Sequence, residues 1–229
     1  MAEPIPSERR EQAVEECTAR ETTIPVGRWK TSTSALRHGG IGLLVLGGLL
    51  VRRVGIEGRF GAELLGEGDL LRPWEDDDEV PMLPLATGWR VLEPARLAIL
   101  DEEFMRRMAS HPELGGALIG RAIGRSRNLA VNMAIVHQAR VDVRLHMLMW
   151  HMAARWGRVG SDGVTVPLRL THAVLAELVA ARRPTVTSAL SQLSRAGLLS
   201  SIDSGWLLYG DPPGEFNELG AAGRAGAAS

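Results

Sequence analysis

The sequence predicts an α+β protein in which a small all-β region, a helical connector and a C-terminal winged helix-turn-helix follow one another. Three observations predict it. Short apolar stretches broken by glycine run up to Leu100; the apolar period changes from two to about 3.5 after Pro112; and from Leu170 two short helical patterns are joined by a tight turn and followed by a hairpin.

The 229 residues, 45% hydrophobic and 23% charged, are those of an ordinary folded chain and exclude general disorder, a collagen-like repeat or a disulfide scaffold. A lone cysteine, Cys17, can form no internal disulfide and no thiolate-held zinc or iron-sulfur site, which points to a reducing compartment. The longest apolar run, Ile41 to Val51, is too short to span a bilayer, and the charged opening Glu3, Glu8, Arg9, Arg10, Glu11 is not that of a signal peptide. A cytoplasmic protein without a membrane partner is expected.

Residues 1–22 carry many charges and few apolar anchors, and are expected to be a flexible tail. Residues 23–110 form the all-β region. IGLLVLGGLLVRRV and IEGRFGAELLGEGDLL read as short strands with tight turns, and Trp89 to Leu100 as a strand broken at Pro94. Between them RPWEDDDEVPMLP, with three prolines and the acids Glu75 to Glu79, reads as a solvated loop rather than a hard-cation site. Asp101 to Ser110 reads as a short helix. Residues 111–139 form a long helix whose seam Ile119, Ala122, Ser126, Leu129, Met133, Val136 alternates spacings of three and four. That seam suits a dimerisation helix or packing onto the helix's own domain.

Residues 140–210 open with an amphipathic helix, Val141, Leu145, Leu148, Met152, Trp156, ending at Gly157. Thr171 then caps a short helix with Val174, Leu175, Leu178 and Val179 on its apolar face. After a turn at Ala181 to Arg183, Pro184 opens a second helix with Val186, Ala189, Leu190 and Leu193 on one side and Thr185, Thr187, Ser188, Ser191, Gln192 and Arg195 on the other. Leu198 to Ser201 and Trp206 to Tyr209, joined by a turn, form the wing. Residues 211–229, rich in glycine and alanine, are expected to be a second flexible tail.

Charge singles out the same region. Residues 140–199 hold eight arginines against three acids, a net +5, while the segments on either side are each net −3. A basic module between acidic ends suits a polyanion. Small polar side chains on the second helix would let its backbone enter a major groove, with Arg183 placed to contact guanine. Thr171 and Thr185 would offer hydroxyls and helix-start amides to phosphates beside Arg182. His172, Pro184, Thr187, Ser188 and Gln192 complete the candidate DNA-binding set.

LTHAVLAELVAARRPTVTSALSQLSRAGLL, preceded by VDVRLHMLMWHMAARWG, resembles the C-terminal domain of the cyclic AMP receptor protein (Crp/Fnr) superfamily of bacterial transcription regulators over residues 141–210. LVLGGLLVRR, FGAELLGEGDLL and WRVLEPARLAIL are similar to strands of that family's N-terminal cyclic-nucleotide-binding β-roll. The resemblance implies a β-roll, a long dimerisation helix and a winged helix-turn-helix. It places the family's base-reading arginine on Arg183 and its phosphate-contacting threonines on Thr171 and Thr185. The base-reading glutamate falls on Pro184 and a second reading arginine on Ser188, which implies a different operator.

The family's nucleotide cassette falls on RPWEDDDEVPMLPLATGW, where no basic residue stands between Arg72 and Arg90 and five acids would repel a phosphate. Its adenine-facing hydroxyl pair falls on Leu129 and Ala130. Cyclic AMP is therefore not the expected ligand, and no cofactor, metal site or catalytic set is expected. Asp142 and His146 stand four apart on a helix but His146 and His151, five apart, diverge around it, Met147, Met149 and Met152 read as core, and no Walker or dinucleotide motif is present. The expected function is sequence-specific transcription regulation by a homodimer on double-stranded DNA, with RNA polymerase as a further partner. The β-roll would bind a small effector that is not a cyclic nucleotide, or support a constitutive dimer. An architectural DNA-coating role is the alternative from another class.

Overall fold

The computed structural model describes residues 5–31, 40–74 and 85–213. The chain divides into two compact units, Met1–Ala130 and Val131–Ser229. The acidic run Glu75 to Glu79 and the tail from residue 214 lie outside the described residues.

The N-terminal unit begins with helix α1 (Ser7–Glu16), strands β1 (Arg20–Ile24), β2 (Gly27–Trp29), β3 (Gly42–Ile56), β4 (Arg59–Leu65), β5 (Leu70–Leu71) and β6 (Leu85–Leu100), and helix α2 (Glu102–Met108). The strands form one antiparallel sheet in the order β1-β6-β3-β4, with β2 added to β6 and β5 to β3. Leu43, Leu50, Leu65, Leu71 and Leu97, all fully buried, form its core with Trp29, Trp74 and Trp89. The stretch read as short strands is mostly one long strand, β3, in which Gly47 and Gly48 fall at a register irregularity rather than at a turn. Its register against β6 slips between Val45 and Leu50. Gly48, at φ +93°, would place a Cβ 2.2 Å from the Pro94 carbonyl oxygen, so only glycine fits. Pro94 lacks an N–H and lies in β6 opposite this irregular stretch, where the ladder is already interrupted.

One row crosses the sheet from β2 to β4: Trp29 lies opposite Trp89, Trp89 opposite Arg52, and Arg52 opposite Glu63. The tryptophan rings meet edge to face at 5.7 Å, and the Arg52 guanidinium lies 5.7 Å from the Trp89 ring centre.

The expectation of a flexible segment over residues 1–22 is corrected for its described part. Ile5 and Ala13 are buried against Leu114, Arg9 pairs with Glu113, and Glu16 Oε2 lies 2.8 Å from His111 Nε2. Next, β1 pairs with Ala95 to Ile99 of β6. Few apolar residues suffice because each meets a partner supplied from about a hundred residues further on.

Helix α2 is capped by Asp101, which accepts the Phe104 N–H at 2.9 Å and an Arg20 N–H at 3.0 Å. Helix α3 (Pro112–Val136) follows, 25 residues long. Its inner face buries Leu114 and Leu118, and Arg125 reaches Glu63. Of the predicted seam, Ile119, Leu129 and Met133 are exposed, as is the neighbouring Ile123, whereas Ala122 lines a cavity with residues of the sheet.

The C-terminal unit contains α4 (Val141–Trp156), β7 (Arg158–Gly160), β8 (Gly163–Val166), α5 (His172–Leu178), α6 (Arg183–Arg195), β9 (Leu199–Ile202) and β10 (Gly205–Leu208). Its sheet runs β7-β8-β10-β9, all antiparallel, so the predicted two-stranded wing is part of a four-stranded sheet. No helix among the described residues is long and apolar enough to cross a membrane.

Candidate nucleic-acid interface

Helices α5 and α6 are set by local signals. Thr171 accepts the Val174 N–H at 3.3 Å, closing the start of α5. At its other end Ala181 N–H reaches the Ala176 carbonyl at 2.9 Å and Ala180 N–H the Glu177 carbonyl at 3.3 Å, with Ala180 in the left-handed region at φ +48°. That is a Schellman closure, built here on alanine rather than the usual glycine. The chain then turns into α6, where Pro184 occupies the first turn and so removes no helical hydrogen bond.

Val186, Ala189, Leu190 and Leu193 are buried along one side of α6, leaving Arg183, Pro184, Thr185, Thr187, Ser188, Ser191, Gln192 and Arg195 exposed on the other. Thr187, Ser188 and Ser191 donate their hydroxyls to the carbonyls of Arg183, Pro184 and Thr187 at 3.0–3.2 Å, which keeps the side chains close to the helix and the face shallow. His172 Nδ1 lies 3.0 Å from Thr187 Oγ1.

The structure therefore brings Thr171, His172, Thr187 and Arg183 together where the two helices meet. Arg182 and Thr171 are also exposed. Of the arginines counted in the basic segment, Arg140 pairs with Asp142 and Arg155 stacks 4.4 Å over Trp156, so neither belongs to the α6 face. Arg140 holds the Asp142 carboxyl below the usual range, with the Val143 N–H adding to the effect.

One residue of this region was counted in the sequence only as a charge. Arg144, on α4, donates from Nε to the Gln138 carbonyl at 2.6 Å and from Nη1 to the carbonyls of Val179 at 3.1 Å and Ala180 at 3.5 Å. No sequence signal marks a guanidinium whose partners are backbone carbonyls.

His146 Nε2 accepts the Trp150 indole N–H at 3.0 Å, and burial pushes its pKa down. His151 is lowered by burial and by Arg155. Among the described residues no group of His, Cys, Asp and Glu is arranged to hold a metal ion. Burial raises the Cys17 thiol, with Glu16 adding to it, the opposite of what a reactive thiolate needs.

The N-terminal unit has a cavity of about 270 Å³ lined by Ile41, Arg52, Leu70, Leu71, Arg72, Trp89, Ala122 and Arg125. Arg125 is engaged there by both oxygens of Glu63 and by the Leu70 carbonyl. Trp89 is 5% exposed, and its indole N–H has no hydrogen-bond partner among the described residues.

Residues 143–212 match the model of the Crp-like helix-turn-helix domain. Over 130 residues the chain is 29% identical to the global nitrogen regulator of Synechococcus elongatus, a stretch covering 52% of this chain and 58% of that protein's length. A CooA mutant from Carboxydothermus hydrogenoformans superposes with a TM-score of 0.65 at 16% identity, over 91% of this chain and 89% of that one. A cyclic nucleotide-binding domain containing protein from Listeria monocytogenes EGD-e gives 0.66 at 12% identity, over 82% and 88%.

Proposed function

We propose that the chain, whose residues 143–212 match the Crp-like helix-turn-helix domain, is a member of the Crp/Fnr family and a sequence-specific regulator that binds double-stranded DNA as a homodimer. The observation that carries the reading is the exposed face of α6, a shallow polar surface entered by Arg182 and Arg183 and flanked by Thr171 and His172. Small side chains admit the helix to a major groove about 12 Å wide, Arg183 reads a base edge, and Arg182 with the threonines grips phosphates. The uncovered apolar edge of α3 supports a two-fold partner, which would set two such faces about 34 Å apart, one turn of duplex.

Selection from randomised duplex DNA by the purified, ligand-free chain at physiological salt tests this. A two-fold motif is expected. Retention without a motif, lost steeply with salt, would replace the reading with an architectural one.

A specific observation favours control by a small molecule. The cavity combines apolar walls with the Trp89 indole N–H, which has no hydrogen-bond partner among the described residues, a lining suited to an acceptor-bearing ligand. Five acids in the segment where the family keeps its phosphate cassette argue against a cyclic nucleotide. Titration with cyclic AMP is expected to leave the melting temperature unchanged, and a rise proportional to the logarithm of its concentration would reverse that exclusion.

A further inference from the structure

One side chain of the C-terminal unit outside the α6 face, Arg144, touches two segments that are distant in sequence. Residues His137–Arg140 form the junction between α3 and α4, and Ala180–Arg182 form the turn that leads into α6. These segments are some forty residues apart, and Arg144 touches both, holding Gln138 of the junction and Val179 and Ala180 at the turn with one planar group.

Each contact has a physical reason. The last carbonyls of α5 lie at the negative end of the helix, where a cation is favoured. Alanine in the left-handed region is strained relative to a relaxed backbone, so the turn benefits from an external hold. A guanidinium cannot lose its proton and presents its donors in a fixed fork, so displacing the Gln138 carbonyl moves or strains the donors that hold Val179 and Ala180. Two residues past the held turn, α6 begins with Arg183.

We propose that Arg144 is a positioning residue for DNA recognition: it couples the α3–α4 junction to the helix-turn-helix turn, so that the junction's conformation sets how α6 is presented. The inference rests on the DNA-binding reading above.

The test compares wild type with Arg144→Met, which keeps the stem and removes the donors, Arg144→Lys, which keeps the charge, and Arg144→Met combined with Ala180→Gly, in which glycine relieves the turn. Each full chain is titrated with its selected duplex and a scrambled duplex, melted, and followed by amide hydrogen exchange. Arg144→Met is expected to reduce the operator-to-scrambled affinity ratio at least tenfold with the scrambled affinity and salt slope unchanged, and Arg144→Lys to recover part of it. In the double variant the melting temperature recovers and the ratio does not. Exchange quickens at residues 138–140 and 180–182 together.

A ratio within twofold of wild type, or one restored together with the melting temperature in the double variant, would overturn the proposal by reducing Arg144 to a prop for the turn. A wild type without operator preference would defeat the DNA-binding reading instead, and exchange then decides the coupling. Faster exchange at both segments supports it, and faster exchange at the turn alone defeats it.

Discussion

Arg125 on α3 meets Glu63 on β4 with two contacts, Nε to Oε1 at 2.8 Å and Nη2 to Oε2 at 2.9 Å, and uses Nη1 to hold the Leu70 carbonyl at 2.8 Å. This pair fastens the long helix to the sheet, and both side chains are largely buried, at 19% and 9% exposed. Removing one partner leaves a charge in a poorly solvated place. Glu63→Ala is expected to destabilise the protein by about 3 kcal/mol in urea unfolding, and Arg125→Met added to it to restore part of that loss. A loss below about 0.5 kcal/mol in the single variant would show the pair to be solvated in solution.

Arg183 and Arg182 make separable predictions. Arg183→Ala should weaken operator binding by roughly 1–3 kcal/mol and relax one base position in a repeated selection. Arg182→Ala should weaken all duplexes alike and reduce the salt slope by about one. An unaltered operator affinity for Arg183→Ala would remove the assigned base reader.

Ala180 holds a backbone conformation that glycine adopts without penalty. Ala180→Gly is expected to stabilise the protein by about 1 kcal/mol, read as a higher melting temperature with the specific DNA affinity retained. A lower melting temperature would mean that the alanine methyl contributes packing that outweighs the strain.

Helix α3 predicts its own self-association. Ile119→Glu together with Met133→Glu puts like charges on the uncovered edge and is expected to convert a dimer to a monomer in sedimentation equilibrium. A dimer that survives both would have to use another surface.

His146 and His151 give a pH dependence with a definite sign. Burial holds both below the ordinary value near 6.5, so the unfolded chain takes up protons that the folded one refuses. Stability is then complete above about pH 6.5 and declines as the pH falls towards the folded values. Melting temperature should drop between pH 7.5 and 5.5, and His151→Gln should flatten that drop. Protonating His146 also removes the acceptor for the Trp150 indole.

The helix-turn-helix was legible in the sequence because its determinants are local: Thr171 three residues before its partner amide, Pro184 in a first turn, and apolar residues three and four apart. Other features depend on distant partners. The docking of Ile5 and Ala13 needs Leu114, and the fastening of α3 needs Glu63, 62 residues upstream of Arg125. Strands β7 and β8, of three and four residues, are too short to show a period, although the positive φ of Gly163 at their turn is the kind of signal that marks a hairpin. Glycines 47 and 48 look like strand ends in one dimension, whereas in the sheet they allow a long strand to bend and continue. At the site, the contact between His172 and Thr187 and the triple grip of Arg144 are properties of side-chain direction, which residue spacing alone does not disclose.

The row of Trp29, Trp89, Arg52 and Glu63 also makes the molecule its own spectroscopic reporter. Two buried indoles held in edge-to-face contact are expected to contribute to the near-ultraviolet circular dichroism band that fixed aromatic packing produces. Trp89 lines the cavity and lies beside a cation, so a guest that shifts Arg52 or tilts the ring alters that band without any label. A guest entering the cavity would therefore be followed optically in the DNA-free protein.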